Sequence, residues 1–237
     1  MKMMTRVTPD STDQRESPPQ LGYTVLPAAS FHFLTPAYDL LAGLSGFGRG
    51  FKRRLIERAG IVDGMSVLDM GCGSGLLLLL VKQRYPRCRA VGVDADPRIL
   101  ALARRRAQRS GVDGIEFVCA GAERTGLEPR SFDVVLSSLV FHHLPVLAKH
   151  EVTREIARVL RPGGRFLLVD LRPIIPARRA LDEAEWRSTR LGLSTNTPQA
   201  LTSALVRAGM TVESVAAPRP WSLAPWTFAL RATLPRN

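Results

Sequence analysis

The chain has 237 residues, enough for one sizeable α/β core, and its apolar content of 45% is that of a globular protein. A net charge of +12 with no dominant basic block reads as dispersed surface charge; an anionic partner such as nucleic acid or a membrane surface is the less favoured alternative. Three cysteines without C-x-x-C spacing support neither a zinc site nor a disulfide framework, and no apolar run is long enough to span a bilayer, so a cytoplasmic protein is expected.

Residues 1–20 are polar, include Pro18-Pro19 and lack periodicity, which predicts a disordered tail. Residues 21–50 interleave Phe31, Phe33, Tyr38, Leu40, Leu41 and Phe47 with prolines and glycines. That broken apolar segment reads either as a cap walling a substrate pocket or as a helix pair on the sheet edge. The core domain is expected over 51–237. It opens on an amphipathic helix at Phe51–Ala59, ended by Gly60. A first strand near Met65–Met70 then runs into Gly71-Cys72-Gly73-Ser74-Gly75, and an apolar helix from Leu76 to Tyr85 stops before Pro86. Strand, glycine loop and helix in that order let a ligand approach the backbone, because no Cβ stands in the way. A dinucleotide fingerprint begun at Gly71 would need a glycine where Leu76 stands. Asp69 at the strand end would repel a pyrophosphate and suits a cationic ligand.

The second strand, Ala90–Val93, ends at Asp94, nineteen residues beyond Gly75. In nucleotide-binding α/β folds a carboxylate there accepts from the ribose hydroxyls. A helix follows from Pro97 to Arg109, then strands at Ile115–Cys119 and Phe132–Leu136, a helix at Leu147–Leu160, a turn at Arg161-Pro162-Gly163-Gly164 and a fifth strand at Phe166–Asp170. Residues 171–198 lose the pattern and read as a substrate-lid insertion. A helix at Gln199–Ala208 and strands at Thr211–Val215 and Trp226–Ala232 close the chain as an antiparallel edge hairpin. The alternation predicts α/β architecture: a Rossmann-like, doubly wound, seven-stranded sheet, mostly parallel, in a single domain with an N-terminal cap.

Four runs carry a resemblance: Asp69-Met70-Gly71-Cys72-Gly73-Ser74-Gly75, Val91-Gly92-Val93-Asp94-Ala95-Asp96-Pro97, Ser131 to Pro145, and Leu160-Arg161-Pro162-Gly163-Gly164. Together they resemble the class I S-adenosylmethionine (SAM)-dependent methyltransferases, and with Tyr38-Asp39 the ubiquinone/menaquinone-biosynthesis type. The resemblance implies SAM as donor and S-adenosylhomocysteine as product, bound by Asp69, Gly71, Cys72, Gly73, Gly75, Asp94, Ala95, Ala122 and Ser137. Relatives often read Gly-Asp-Ala-Glu where this chain has Ala120-Gly121-Ala122-Glu123, and their Asp accepts a hydrogen bond from the adenine amino group. With Gly121, either the backbone around Ala122 does that work alone, or adenine is held more weakly, or the ligand differs.

Ser137-Ser138 stands where enzymes of nucleobase amines carry an Asn/Asp-Pro-Pro-aromatic run and metal-dependent catechol enzymes carry carboxylates, so neither such a site nor a bound metal is expected. A general base is needed only for a hydroxyl or carbon-acid acceptor. His143, and after it His142 and Tyr38, are the candidates; a loop histidine that merely packs is the alternative for the pair. The expectation is methyl transfer to a small, partly apolar molecule. A phospholipid or nucleic-acid acceptor, or a non-catalytic SAM-binding protein hinted at by Gly121, are the alternatives. Nothing in the sequence fixes an oligomeric state.

Overall fold

Strands that are apolar on both sides have to be covered on both sides, and β-alternation then sends successive residues to opposite cores. The computed structural model describes residues 47–173, 195–217 and 226–236. Tyr38, the expected tail, and most of the expected cap and lid lie outside the described residues.

Within them, β1 (Ser66–Met70), β2 (Arg89–Asp94), β3 (Ile115–Cys119), β4 (Phe132–Ser138), β5 (Leu160–Leu171), β6 (Thr211–Val215) and β7 (Thr227–Thr233) form one seven-stranded sheet in the order β3-β2-β1-β4-β5-β7-β6. All pairings from β3 to β5 are parallel, and β7 runs antiparallel to both β5 and β6. The final pair is therefore a hairpin laid with its second strand inward, which leaves β6 at the edge.

The two cores follow the alternation. Val67, Val134, Leu136, Leu167 and Val169 face a cluster shared with α1 (Arg49–Ala59) and α2 (Leu76–Arg84). Leu68, Met70, Val135, Phe166 and Leu168 face the cluster shared with α4 (Val146–Val159) and α5 (Pro198–Arg207). The remaining helix, α3 (Pro97–Arg109), has Pro97 in its first turn, and the Asp96 side chain accepts from Arg98 N. Phe47, expected in the cap segment, is buried and packs edge-on against Phe51 of α1, with ring centroids 5.1 Å apart. Among the described residues no helix is long and apolar enough to cross a membrane.

Two of the boundaries that differ from expectation are set by the sheet. β4 continues through Ser137 and Ser138, because both pair with β5. The Arg161-Pro162-Gly163-Gly164 turn is instead an irregular start to β5: Leu160 is already extended, and the register slips between Phe132 and Val134. Gly163 adopts φ 79°, while Gly163 N donates to Leu234 O and Leu234 N to Gly164 O. Those bonds keep the segment in a ladder, so the glycines bend the strand rather than end it. Arg161 also clamps Asp133 with two bonds of 2.8 and 2.7 Å, and the Asp133 carboxylate accepts from Ser66 N at 2.8 Å.

The reversal of strand order between β1 and β4 puts a crevice at the carboxyl ends of those strands. One close approach shapes its floor. A Cβ on Gly92, in mid-β2, would lie 2.8 Å from both Cys72 Sγ and Leu78 Cδ1, so the loop after β1 and the first turn of α2 rest on bare backbone. Gly92→Ala should therefore destabilise the protein by about 1–3 kcal/mol, the usual range for forcing atoms into a filled core, as read by urea unfolding.

Candidate active site

The loop after β1 is held from below and open above. Gly71 N and Cys72 N both donate to Val93 O, at 2.8 and 2.9 Å, which fastens the loop to β2. Gly71 has φ 74°, and a Cβ there would fall 2.4 Å from Val140 Cγ2. Gly73 has φ 52°, and a Cβ there would meet nothing within 4 Å. The open side of Gly73 is where a ligand can touch backbone.

Asp94 closes that side. Its Oδ2 accepts from Gly73 N at 2.9 Å and its Oδ1 from Asp96 N at 3.1 Å. Both oxygens are thus fixed by backbone, and each retains a lone pair for a hydroxyl. Burial raises the pKa of Asp94, while the amides of Asp96 and Gly73 work against it. Ala95, exposed, follows directly, and half-buried Ala122 packs against the α4-side core.

Asp69 is buried at the head of the loop, and its Oδ1 has no hydrogen-bond partner. Burial pushes its carboxyl up to about 7, opposed by the charge of Lys52. Part-buried Lys52, on α1, donates from Nζ to Ser138 Oγ, and desolvation lowers its pKa while Asp69 and Cys72 oppose that. In the sequence Lys52 is one of several basic residues of an amphipathic helix, with nothing local to set it apart. Ser137 is buried with its hydroxyl donating to Met70 O at 3.0 Å, so it braces the end of β1. Cys72 is buried and its thiol is pushed above the usual range, first by burial, which makes it loop packing rather than a nucleophile.

A second polar centre lies at the end of β5. Asp170 is fully buried: Oδ2 accepts from Val140 N at 3.0 Å and Phe141 N at 2.7 Å, while Oδ1 accepts from Leu171 N at 2.7 Å and Asn196 Nδ2 at 3.2 Å. Its Oδ1 also lies 2.6 Å from His142 Nδ1. A carboxylate can only accept, so His142 donates through Nδ1 and carries its lone pair on Nε2. The His143 ring makes no such bond among the described residues. Its ring lies 3.9 Å from that of His142, and burial, with the His142 charge adding to it, lowers its pKa to about 4. The geometry thus gives the acid-supported imidazole to His142, the second choice from sequence.

Behind this pair, buried Lys149 donates to Thr195 Oγ1 at 3.0 Å and is lowered to about 8 by burial. Asp170, Lys149 and Asn196 were missed from sequence. For Asp170 the signal was present, since it ends the apolar run Phe166-Leu167-Leu168-Val169 as Asp69 and Asp94 follow theirs.

Comparison with known proteins fits this geometry. Residues 67–164 match the family model described as a methyltransferase domain. The ubiquinone/menaquinone biosynthesis C-methyltransferase of Pseudomonas entomophila is 33% identical over 174 residues, covering 68% of this chain and 67% of that protein. The chain belongs to the class I SAM-dependent methyltransferases of the ubiquinone/menaquinone-biosynthesis group. The demethylmenaquinone methyltransferase of Thermus thermophilus is 34% identical over 145 residues, or 60% of this chain, and the chain spans 64% of that relative's length. A SAM-dependent methyltransferase from Aquifex aeolicus shares the fold, with TM-score 0.62 at 18% identity, covering 84% of this chain and 96% of that one. For a methyltransferase-family chain, the orphaned oxygen of Asp69, the two-point carboxylate of Asp94 and the open face of Gly73 are a set of acceptors and bare backbone that fits a nucleoside with a cationic tail.

The depressed pKa of His143 has a pH consequence. Unfolded, this histidine protonates near its ordinary 6.5; folded, only near 4. Between those values the unfolded chain binds the extra proton, so this residue makes stability fall as pH drops from about 6.5 to about 4. In urea unfolding, wild type should lose more stability across that window than His143→Gln, and the two should run parallel above about pH 7.

Proposed function

We propose that this protein transfers a methyl group from SAM to a small, partly apolar acceptor of the quinone-precursor class, the class that the names of its relatives suggest. The observation that carries the reading is the pairing, at one end of one sheet, of the Asp94–Gly73 clasp with the His142–Asp170 pair. Bound SAM supplies a methyl group on a sulfonium, already activated, so the protein has mainly to align and desolvate the reactants.

In this reading Asp94 takes the ribose hydroxyls. Asp69 and Lys52, opposite charges that act on one another near the head of the loop, suit an amino-acid end that bears both charges. Gly71, Gly73 and Gly75 keep the backbone within reach, Cys72 and Ser137 hold the loop's shape, and Ala95 and Ala122 leave room for a flat base. His142, its Nδ1–H committed to Asp170, withdraws a proton through Nε2 from a hydroxyl or carbon-acid acceptor. His143, neutral near pH 7, packs beside it and keeps a second positive charge away. Tyr38 is the further candidate base.

The test is calorimetric binding of S-adenosylhomocysteine together with turnover on a panel of demethylated quinols. Asp94→Ala should abolish measurable nucleoside binding. His142→Ala should bind the nucleoside as wild type does and lose about 10²–10⁴-fold in kcat, the range for removing a general base. If neither SAM nor S-adenosylhomocysteine raises the Tm of the wild type, the reading fails at the donor; undiminished kcat in His142→Ala removes the base.

A further inference from the structure

At Gly121 the chain has no side chain where the resemblance to class I methyltransferases implies a carboxylate beside the donor's base, and the fold shows what stands in its place. β3 pairs with β2 so that Cys119 lies opposite Asp94, and Ala120 N donates to Asp94 O at 3.1 Å. Residues 120–123 therefore follow directly beside the ribose-binding carboxylate. A nucleoside fixed by Asp94, with its tail toward β1, lays its base on this segment.

A Cβ built on Gly121 would lie 2.3 Å from Glu123 Oε1 and 2.8 Å from Oε2. The carboxylate of Glu123 thus occupies the space into which a side chain at 121 would grow. Only a glycine admits it. The segment is held firmly: Arg124 N donates to Gly121 O at 3.2 Å, and Thr125 N donates to the buried Glu155 carboxylate at 2.9 Å. Nearby arginines serve other acids, Arg158 bonding Glu155 at 2.7 Å and Arg154 approaching Glu151 at 4.0 Å. The Glu123 carboxylate forms no hydrogen bond or ion pair among the described residues, although its neighbours offer partners.

We propose that Glu123, folded over Gly121, is the acceptor for the exocyclic amino group of adenine and so sets the purine selectivity of the donor site. The inference rests on the donor-site reading above. Its chemistry is one of sign: a carboxylate accepts from a 6-amino group and repels a 6-oxo group, and a hydrogen bond to a charged group is among the stronger ones.

The experiment is calorimetric binding of S-adenosylhomocysteine and of its 6-oxo analogue, S-inosylhomocysteine, to the full chain. Wild type should prefer the adenine nucleoside by about tenfold to a hundredfold. Glu123→Ala should weaken S-adenosylhomocysteine by about tenfold and leave the inosine analogue unchanged, bringing the ratio near one. Glu123→Gln, nearly isosteric, should lose the preference as well, because its amide can donate to the 6-oxo group. Gly121→Asp combined with Glu123→Ala should recover it. Equal weakening of both nucleosides in Glu123→Ala, or an unchanged ratio in both single variants, overturns the proposal and leaves Glu123 a structural residue, a role the Tm of the unliganded variants would also register. Failure of the wild type to bind either nucleoside is the distinct result that removes the donor site itself, and this inference with it.

Discussion

The carboxylate of Asp170 is the interaction on which the functional end of the molecule depends. It lies out of reach of water and meets backbone amides from two segments, a side-chain amide and an imidazole. The amides of Val140 and Phe141 would otherwise be orphan donors at the start of a short 3-10 turn; bound to Asp170, they tie the loop after β4 to the end of β5. An uncompensated carboxylate at that depth would cost several kcal/mol, so the donors and the acid specify each other. The orientation of His142 follows from the same cluster that shapes its loop.

The sheet repeats one device at three strand ends. Asp69, Asp94 and Asp170 each stand at or just short of the end of a buried parallel strand, where side chains emerge at the crevice. Their environments then separate them. Asp170 is saturated by donors and works on structure, Asp94 is anchored by two amides with capacity to spare, and Asp69 keeps an oxygen with no partner under the opposing charge of Lys52. Chemistry that needs an anchor, a clasp and an unsatisfied acceptor gets all three from one residue type.

Much of the architecture was legible in the sequence because it depends on local pattern. Apolar runs of strand length alternate with amphipathic stretches, and Gly71, Gly73 and Gly75 mark a turn that other residues adopt poorly. The boundaries that shifted did so for tertiary reasons: Arg161 to Gly164 reads as a turn from its proline and two glycines, but bonds from Leu234, some seventy residues away, draw it into the sheet. The strand-end carboxylates Asp69 and Asp94 beside the glycine loop were legible because their spacing to the loop is fixed by one strand and one helix. The roles of Lys52 and Asp170 were not, although Asp170 ends its strand as the other two do, since each acts on residues tens of positions distant: Lys52 on Ser138, and Asp170 on Val140 to His142. Which of His142 and His143 meets a carboxylate has no local signal either; Asp170, across the strand gap, meets His142.

The contact between Val140 and Gly71 carries one more consequence. Leu139 takes φ 62°, unusual for a side chain of its kind, and donates its amide to Val169 O, and this reversal seats the following valine against the bare α-carbon of the loop. The loop beside Asp94 and the turn that bears His142 therefore share a wall one methyl group thick. They form a single mechanical part, and neither can be remodelled for a new ligand without the other being refitted to it.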